Sequence, residues 1–377
     1  MVILMALVQA LMKIGIDIRE TVHEKAGKGY YAAHLVDEIL KQDKVNQYIL
    51  YTDCPVEIYR NFENAETRPI CKKGLFWHKA VLDDAYKSDL DVYFAPTSYI
   101  IPALHNPKKL QVVMTVHDLV AFMFPQKHNK KAVFTEKLTL QQALNKVVKV
   151  LSVSENTKRD LVKRFKCDDE LVDIVSNAAS EIYEPVPEEI YDHFKEAHNL
   201  PDQFIFCAGT LEPRKNYPTL LKSFAKVVEK MPDIKLLIAG KRGWMYDEIY
   251  KTVHDLGIED NVRFLGYVPE RDLVYLYNLA TVFVWPSLYE GFGIPPLEAM
   301  QSGCPVITSN TSSLPEVVGE GAITIDPNDE SALADAMIEV LEDRDLSHNL
   351  IKKGFNQSKK FSWKLSADRF LDIIKSL

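Results

Sequence analysis

What most limits the folds open to this chain is its alternation of short apolar runs with amphipathic segments. The runs fall at 13–18, 47–51, 90–94, 111–116, 147–154 and 172–177, then at 204–208, 235–239, 262–265, 280–286 and 306–309. They are brief, rich in β-branched and aromatic residues, and stopped by Gly, Pro or charge, as buried strands are. Between them lie helical patterns: after Pro218, apolar residues fall at 220, 221, 224, 225, 227 and 228. Strand and helix alternating in this way predict α/β architecture, parallel sheets with covering helices. A chain of 377 residues is too long for one ordinary core and predicts two such domains. The proline-rich, charged Glu184-Pro185-Val186-Pro187-Glu188-Glu189 reads as the join. The expected division is a first domain over 1–185, a linker over 186–200, a second domain over 201–360 and a final amphipathic helix within 361–377.

Two strand ends carry candidate chemistry. Strand 280–286 runs into Tyr289-Glu290-Gly291-Phe292-Gly293-Ile294-Pro295-Pro296-Leu297-Glu298. Gly291 and Gly293 let backbone approach a ligand, and Pro295-Pro296 suit the first turn of a helix, in which Glu298 is expected to fall. A strand, a glycine loop and a helix start place ligands at the carboxyl end of an α/β sheet, with Glu290 and Glu298 flanking the crevice. The plainer alternative is a solvated loop acid followed by an acid that complements a helix N-terminus. Strand 204–208 ends in Gly209-Thr210-Leu211-Glu212-Pro213-Arg214-Lys215-Asn216. Arg214 and Lys215 in this loop can neutralise a pyrophosphate, on which negative charge builds when a sugar bond breaks; otherwise they are solvated loop cations.

Glu290 and Glu298 with Gly-Phe-Gly-Ile-Pro-Pro-Leu between them, together with Glu-Pro-Arg-Lys-Asn, resemble the motifs of retaining glycosyltransferases of the GT-B, family-4 type. The resemblance runs over nearly the whole chain from Met12 and is strongest across 204–320. It implies two Rossmann-like domains facing each other across a cleft, with the last helix crossing back to the first domain. It implies that Glu290 and the Gly291-Phe292-Gly293 backbone contact the transferred sugar, that Glu298 holds the nucleotide ribose, and that Arg214 and Lys215 hold the diphosphate. Thr210 stands where some relatives carry an arginine, which would leave more of the phosphate load to Arg214.

In the first domain, Gly27-Lys28-Gly29 before a helix from Tyr30 has the glycine spacing of a dinucleotide fingerprint, but Arg19–Ala26 intervene after the strand, unlike a nicotinamide site. The resemblance makes Gly27 and Gly29 a glycine loop facing the donor diphosphate; a flexible loop is the plain alternative. His117, at the carboxyl end of strand 111–116, resembles the family histidine that contacts the sugar and the departing phosphate, not a general base. Lys241, with Arg242 beside it, and Val268 lie in loops that border the base or diphosphate in relatives; surface roles are the alternative for the two cations. His105 and His128 lack metal spacing, Asp89-Leu90-Asp91 precedes a strand where a metal-binding Asp-x-Asp follows one, and Glu316 reads as a structural cap. No metal and no cofactor is expected, the nucleotide-sugar being a substrate.

Net charge is −8, with 25 Lys+Arg against 24 Asp+Glu over 1–187 and 20 against 29 over 188–377. No domain carries the basic excess that a nucleic-acid partner requires. Five scattered cysteines, at 54, 71, 167, 207 and 304, suggest reduced thiols in a cytoplasmic protein. Residues 1–11 are apolar but short of the ~20 that span a bilayer, and read as an upstream extension before Met12. Cys71–Val81 combines aromatics with basic groups: either an amphipathic helix with its aromatics in the core or a peripheral contact with the inner face of the membrane. The expected activity is metal-independent retaining transfer of a hexose, mannose from GDP-mannose first and a UDP-sugar as the alternative, to a saccharide or lipid-linked acceptor in cell-surface polysaccharide assembly. An epimerase or a silent nucleotide-sugar-binding protein are the readings from other classes. Oligomeric state is left open.

Overall fold

The computed structural model describes residues 11–23, 27–124, 130–243 and 245–377; His128, Trp244 and residues 1–10 lie outside them. The described strands form two parallel sheets. The first holds β1 (Lys13–Asp17), β2 (Gln47–Thr52), β3 (Ala65–Pro69), β4 (Val92–Ala95), β5 (Gln111–Val116), β6 (Lys149–Ser152) and β7 (Val172–Ile174) in the order 3-2-1-4-5-6-7. The second holds β8 (Phe204–Ala208), β9 (Lys235–Ala239), β10 (Val262–Gly266), β11 (Val282–Trp285), β12 (Val306–Ser309) and β13 (Ala322–Ile325) in the order 10-9-8-11-12-13. Both orders step outward from the first strand in one direction and then reverse, the Rossmann pattern. The fold is GT-B.

The central strands read as continuous apolar runs because helices cover both faces. Four-residue stretches such as Val-Phe-Val-Trp in β11 and Val-Tyr-Phe-Ala in β4 are fully buried. The edge strands β3 and β13 escaped the sequence pattern: Ala-Glu-Thr-Arg-Pro is charged and largely solvent-facing, and Ala-Ile-Thr-Ile is half-covered. Several local expectations are corrected. The helix placed from Tyr30 begins at Gly27 and runs to Gln42, so Gly27 and Gly29 form its first turn. The segment read as linker contains the Glu188–Ala197 helix. Glu298 lies in the second turn of the Ile294–Gln301 helix because that helix opens ahead of the two prolines. Of the Cys71–Val81 stretch, Trp77 and His78 are buried, whereas Leu75 and Phe76 are 69% and 76% exposed, so its aromatics face the core only in part. No helix among the described residues is long and apolar enough to cross a membrane.

The Trp363–Lys375 helix, capped by Ser362 Oγ accepting from Leu365 N–H at 3.2 Å, packs on the first sheet. Phe370 meets Phe94 of β4 with centroids 4.7 Å apart, and Trp363 stacks on His34 at 5.3 Å. Ser366 Oγ donates to the Ser176 carbonyl at 2.7 Å and Arg369 pairs with Asp173 at 2.6 Å. The end of the chain thus ties the two domains together. Phe370→Ala removes a fully buried ring from this tie and is expected to cost about 3–5 kcal/mol, read as a lowered unfolding midpoint in a guanidinium titration.

Candidate active site

In an open parallel sheet, ligands bind outside the carboxyl ends of the strands where the order reverses. In the second domain that point lies between β8 and β11, which are neighbours, and the loops leaving them carry the cation pair and Glu290. After β8, Pro213–Lys215 makes a single 3-10 turn and Asn216 takes a left-handed conformation at φ 60°. Asn216 Nδ2 donates to the Pro327 carbonyl at 2.6 Å, which fixes the turn. The loop after β11 is laced to it: Leu288 N–H and Ser287 Oγ both donate to the Arg214 carbonyl, at 2.9 and 3.1 Å.

The side chains close into a buried ion cluster. Glu290 accepts from Arg214 through Oε2 at 2.6 Å and from Lys215 through Oε1 at 2.7 Å. The other arm of the Arg214 guanidinium reaches Glu212 at 2.7 Å, and Arg214 also donates to the Tyr289 carbonyl. Two cations and two carboxylates cancel formally. Burial works to raise the Glu290 carboxyl, but Arg214 and Lys215 outweigh it and hold the group at about 2. Lys215 is pushed below the usual lysine value by burial, which Glu290 offsets only in part; its ammonium lies 4.6 Å over the Trp285 ring.

Glu298 is in the opposite condition. Burial raises its carboxyl to about 7, although the Tyr277 hydroxyl donates to Oε2 at 2.9 Å. Across the cleft, Tyr30 in the first turn of the Gly27–Gln42 helix lies within the electrostatic reach of Glu298, Glu270 and Lys241. His117 is buried beside that helix, its ring edge-on to Tyr31 at 4.7 Å. His117 Nε2 donates to the Pro96 carbonyl at 2.7 Å, which leaves Nδ1 as an acceptor in the neutral ring. Burial, and then the charge of Lys28, lower its pKa to about 4.

The two glycines of the motif serve the protein itself. A Cβ on Gly291 would lie 1.9 Å from the His117 carbonyl oxygen, and Gly293 sits at φ +124° with Leu314 against it. The expected close approach therefore includes one between the two domains. Phe292 turns inward, edge-on to Phe361, and leaves its backbone to the loop. Thr210 and Lys241 are exposed and Val268 is half-buried. Arg242 lies over Tyr246 and Tyr250 at 5.2 and 5.5 Å, a contact within its own domain. Glu316 Oε1 accepts from Asn156 N–H at 3.4 Å, at the start of a helix in the other domain. Sequence spacing did not reveal that His23, Asp53 and Cys54 bring ligand-type atoms within 4.8 Å of one another, because His23 is distant in sequence from the other two.

The model described as glycosyl transferases group 1 matches residues 189–357, and that described as glycosyltransferase family 4 matches residues 47–180. The O-antigen chain mannosyltransferase B of Escherichia coli is 34% identical over 289 residues, covering 76% of this chain and 74% of that protein. The chain belongs to this glycosyltransferase family. The glycosyltransferase is also 29% identical over 272 residues to the serotype-specific mannosyltransferase WbdA of Escherichia coli, covering 70% of this chain but 33% of that longer protein. Its fold matches that of Anabaena HepE, solved in complex with UDP-glucose, with a TM-score of 0.78 over 97% of this chain and all of that one, at 17% identity. Family membership makes the chain a retaining glycosyltransferase.

Removing the negative charge of the ion cluster leaves two buried cations with one carboxylate. Glu290→Gln is expected to lower the unfolding free energy at neutral pH by about 3–5 kcal/mol. Because the carboxyl is held below its ordinary value of 4.5, its contribution is present above that value and is lost as pH falls toward 2. Urea unfolding across this range should show that loss in the wild type and not in the variant.

Proposed function

We propose that the glycosyltransferase moves mannose from GDP-mannose to a saccharide or lipid-linked acceptor in the assembly of a cell-surface glycan. The observation that carries the donor is the 34% identity, across three quarters of both chains, to a protein named as an O-antigen chain mannosyltransferase. A UDP-sugar is the second reading, suggested by the UDP-glucose bound to a protein of the same fold.

In this reading Glu298 accepts from the ribose hydroxyls and the backbone around Val268 meets the base. Arg214 and Lys215 receive the diphosphate, with Thr210, Lys241 and the helix start at Gly27 and Gly29 facing it, and the charge on the leaving group is balanced by the protein without a metal or a cofactor. Glu290, with a carboxyl far too acidic to hold a proton at neutral pH, is an acceptor for sugar hydroxyls and a partner of the cations, not a general acid. The Gly291-Phe292-Gly293 backbone lines the sugar, and neutral His117 offers Nδ1 to a sugar hydroxyl from the other domain. As the bond from the sugar to the β-phosphate breaks, the acceptor oxygen bonds to the anomeric carbon on the same face. The acceptor's proton passes to the departing phosphate oxygen. Charge developing on that oxygen is stabilised by cations already oriented by Glu290 and Glu212. Peripheral membrane contact belongs to the same proposal: exposed Leu75 and Phe76 stand among exposed Lys72, Lys73 and Lys79, suited to an anionic bilayer.

A thermal-shift titration with GDP, UDP and ADP and their sugar conjugates, with and without chelator, tests the donor. GDP and GDP-mannose should give the largest shift, insensitive to chelator; a UDP preference would redirect the donor assignment. Ribose hydroxyls donating to Glu298 favour its ionised form. GDP affinity should therefore strengthen as pH rises through about 7, and Glu298→Gln should flatten that dependence after correction for the titration of GDP itself. In sedimentation with phosphatidylcholine vesicles, added phosphatidylglycerol should increase binding, and the double change Leu75→Ser and Phe76→Ser should abolish the increase without altering GDP binding.

A further inference from the structure

The loop that carries Glu290 is held from both sides of the cleft. Its own domain supplies Ser312, whose Oγ accepts from Glu290 N–H at 2.9 Å, and Ser313, whose Oγ donates to the Phe292 carbonyl at 2.5 Å. The first domain supplies the Glu155–Phe165 helix, placed end-on to the loop. Ser154, the N-cap of that helix, accepts from Thr157 N–H at 3.0 Å and donates to the Gly291 carbonyl at 2.6 Å. One hydroxyl therefore terminates the helix and grips the loop. Two turns along, Asp160 Oδ2 accepts from the Tyr289 hydroxyl at 2.7 Å. Asn156 Nδ2 steadies the same oxygen at 3.0 Å. The Tyr289 carbonyl in turn accepts from Arg214, so a chain of hydrogen bonds runs from Asp160 through Tyr289 to the guanidinium paired with Glu290. Glu316, at the N-terminus of the same helix, adds a carboxylate where the helix dipole favours one.

We infer that Ser154 and Asp160 are positioning residues for sugar transfer: from the first domain they set the Tyr289–Gly291 loop, and through it Glu290 and Arg214 of the second. The inference rests on Glu290 and Arg214 serving the sugar and diphosphate as proposed above. Its physical basis is that Tyr289 and Gly291, the residues on either side of Glu290, are each hydrogen-bonded to a helix of the other domain. The Glu290 carboxylate therefore has its full set of restraints only when the domains are in contact. The nucleoside contacts proposed for Glu298 and the backbone around Val268 lie within the second domain and do not need that contact. The loop and the helix that grips it thereby make the reacting geometry depend on apposition of the domains.

The test uses the full chain with Asp160→Ala, Tyr289→Phe and the two combined, alongside Asp160→Asn, which keeps an acceptor for the tyrosine hydroxyl. Turnover of whichever nucleotide-sugar binds in the titration is read as its hydrolysis, water taking the sugar and the nucleoside diphosphate being released, so that no other acceptor need be known. Asp160→Ala and Tyr289→Phe are each expected to lower kcat by about tenfold or more, with a smaller loss of GDP affinity because Lys215 and Glu298 remain in place. The combined variant should be no worse than either one, as for residues acting through a single contact, and Asp160→Asn should recover most of the rate. Hydrogen exchange should rise in the peptide spanning 287–293 and not in strand β8. Unchanged kcat with only a lower melting temperature, additive losses, or unchanged exchange in 287–293 would overturn the inference. Glu290→Gln separates the two readings: if it retains full turnover, the site assignment fails, while the exchange measurement still decides whether Asp160 holds the loop.

Discussion

The second domain is organised around a carboxylate that could not be buried without its cations. Glu290 is 8% exposed, and an unpaired charge so placed would be far too costly to retain. Arg214 and Lys215 reduce that cost, and both come from one turn after β8, which must therefore lie beside the loop after β11. The reversal of strand order supplies that adjacency. Even the turn conformation follows, since left-handed Asn216 and its bond to the Pro327 carbonyl hold the two cations toward Glu290. Interactions of this strength are directional and dry, and in the proposed function they prepare a field for the departing diphosphate.

The two glutamates of one motif come to opposite electrostatic ends. Glu290 has two cations and remains ionised at any ordinary pH; Glu298 has tyrosine hydroxyls and burial, and titrates near neutrality. Their environments differ because one lies in a loop beside the turn that carries both cations and the other in a helix against Tyr277. The first domain adds a neutral histidine and a helix whose N-terminal end grips the loop. Contact between the domains is close enough that Gly291 has no room for a Cβ against His117, which makes a motif glycine a matter of domain packing as well as of ligand approach.

Much of the architecture was legible in the chain itself. Central strands announced themselves because burial on both faces demands an unbroken apolar run, and strand ends at His117, Arg214 and Glu290 marked the ligand edge of each sheet. Edge strands such as β3 were silent, since solvent allows Glu66 and Arg68 within them. The first turn at Gly27 was misplaced because glycine usually argues against helix, while here Gly29 is buried in the opening turn. The cap that Ser154 makes with Thr157 is a local bond, but its second bond, to Gly291, joins residues 137 positions apart and leaves no local trace.

By itself the sequence determined the strand and helix periodicity, the positions of the charged groups relative to strand ends, and the motif that marks the family; these depend on neighbours along the chain. Only the tertiary structure decided which of those charges are neutralised by one another, that Glu298 is raised and Glu290 depressed, and that the motif loop is held from the opposite domain. Desolvation and ion pairing act through space between residues far apart in sequence, so no local pattern can encode their balance.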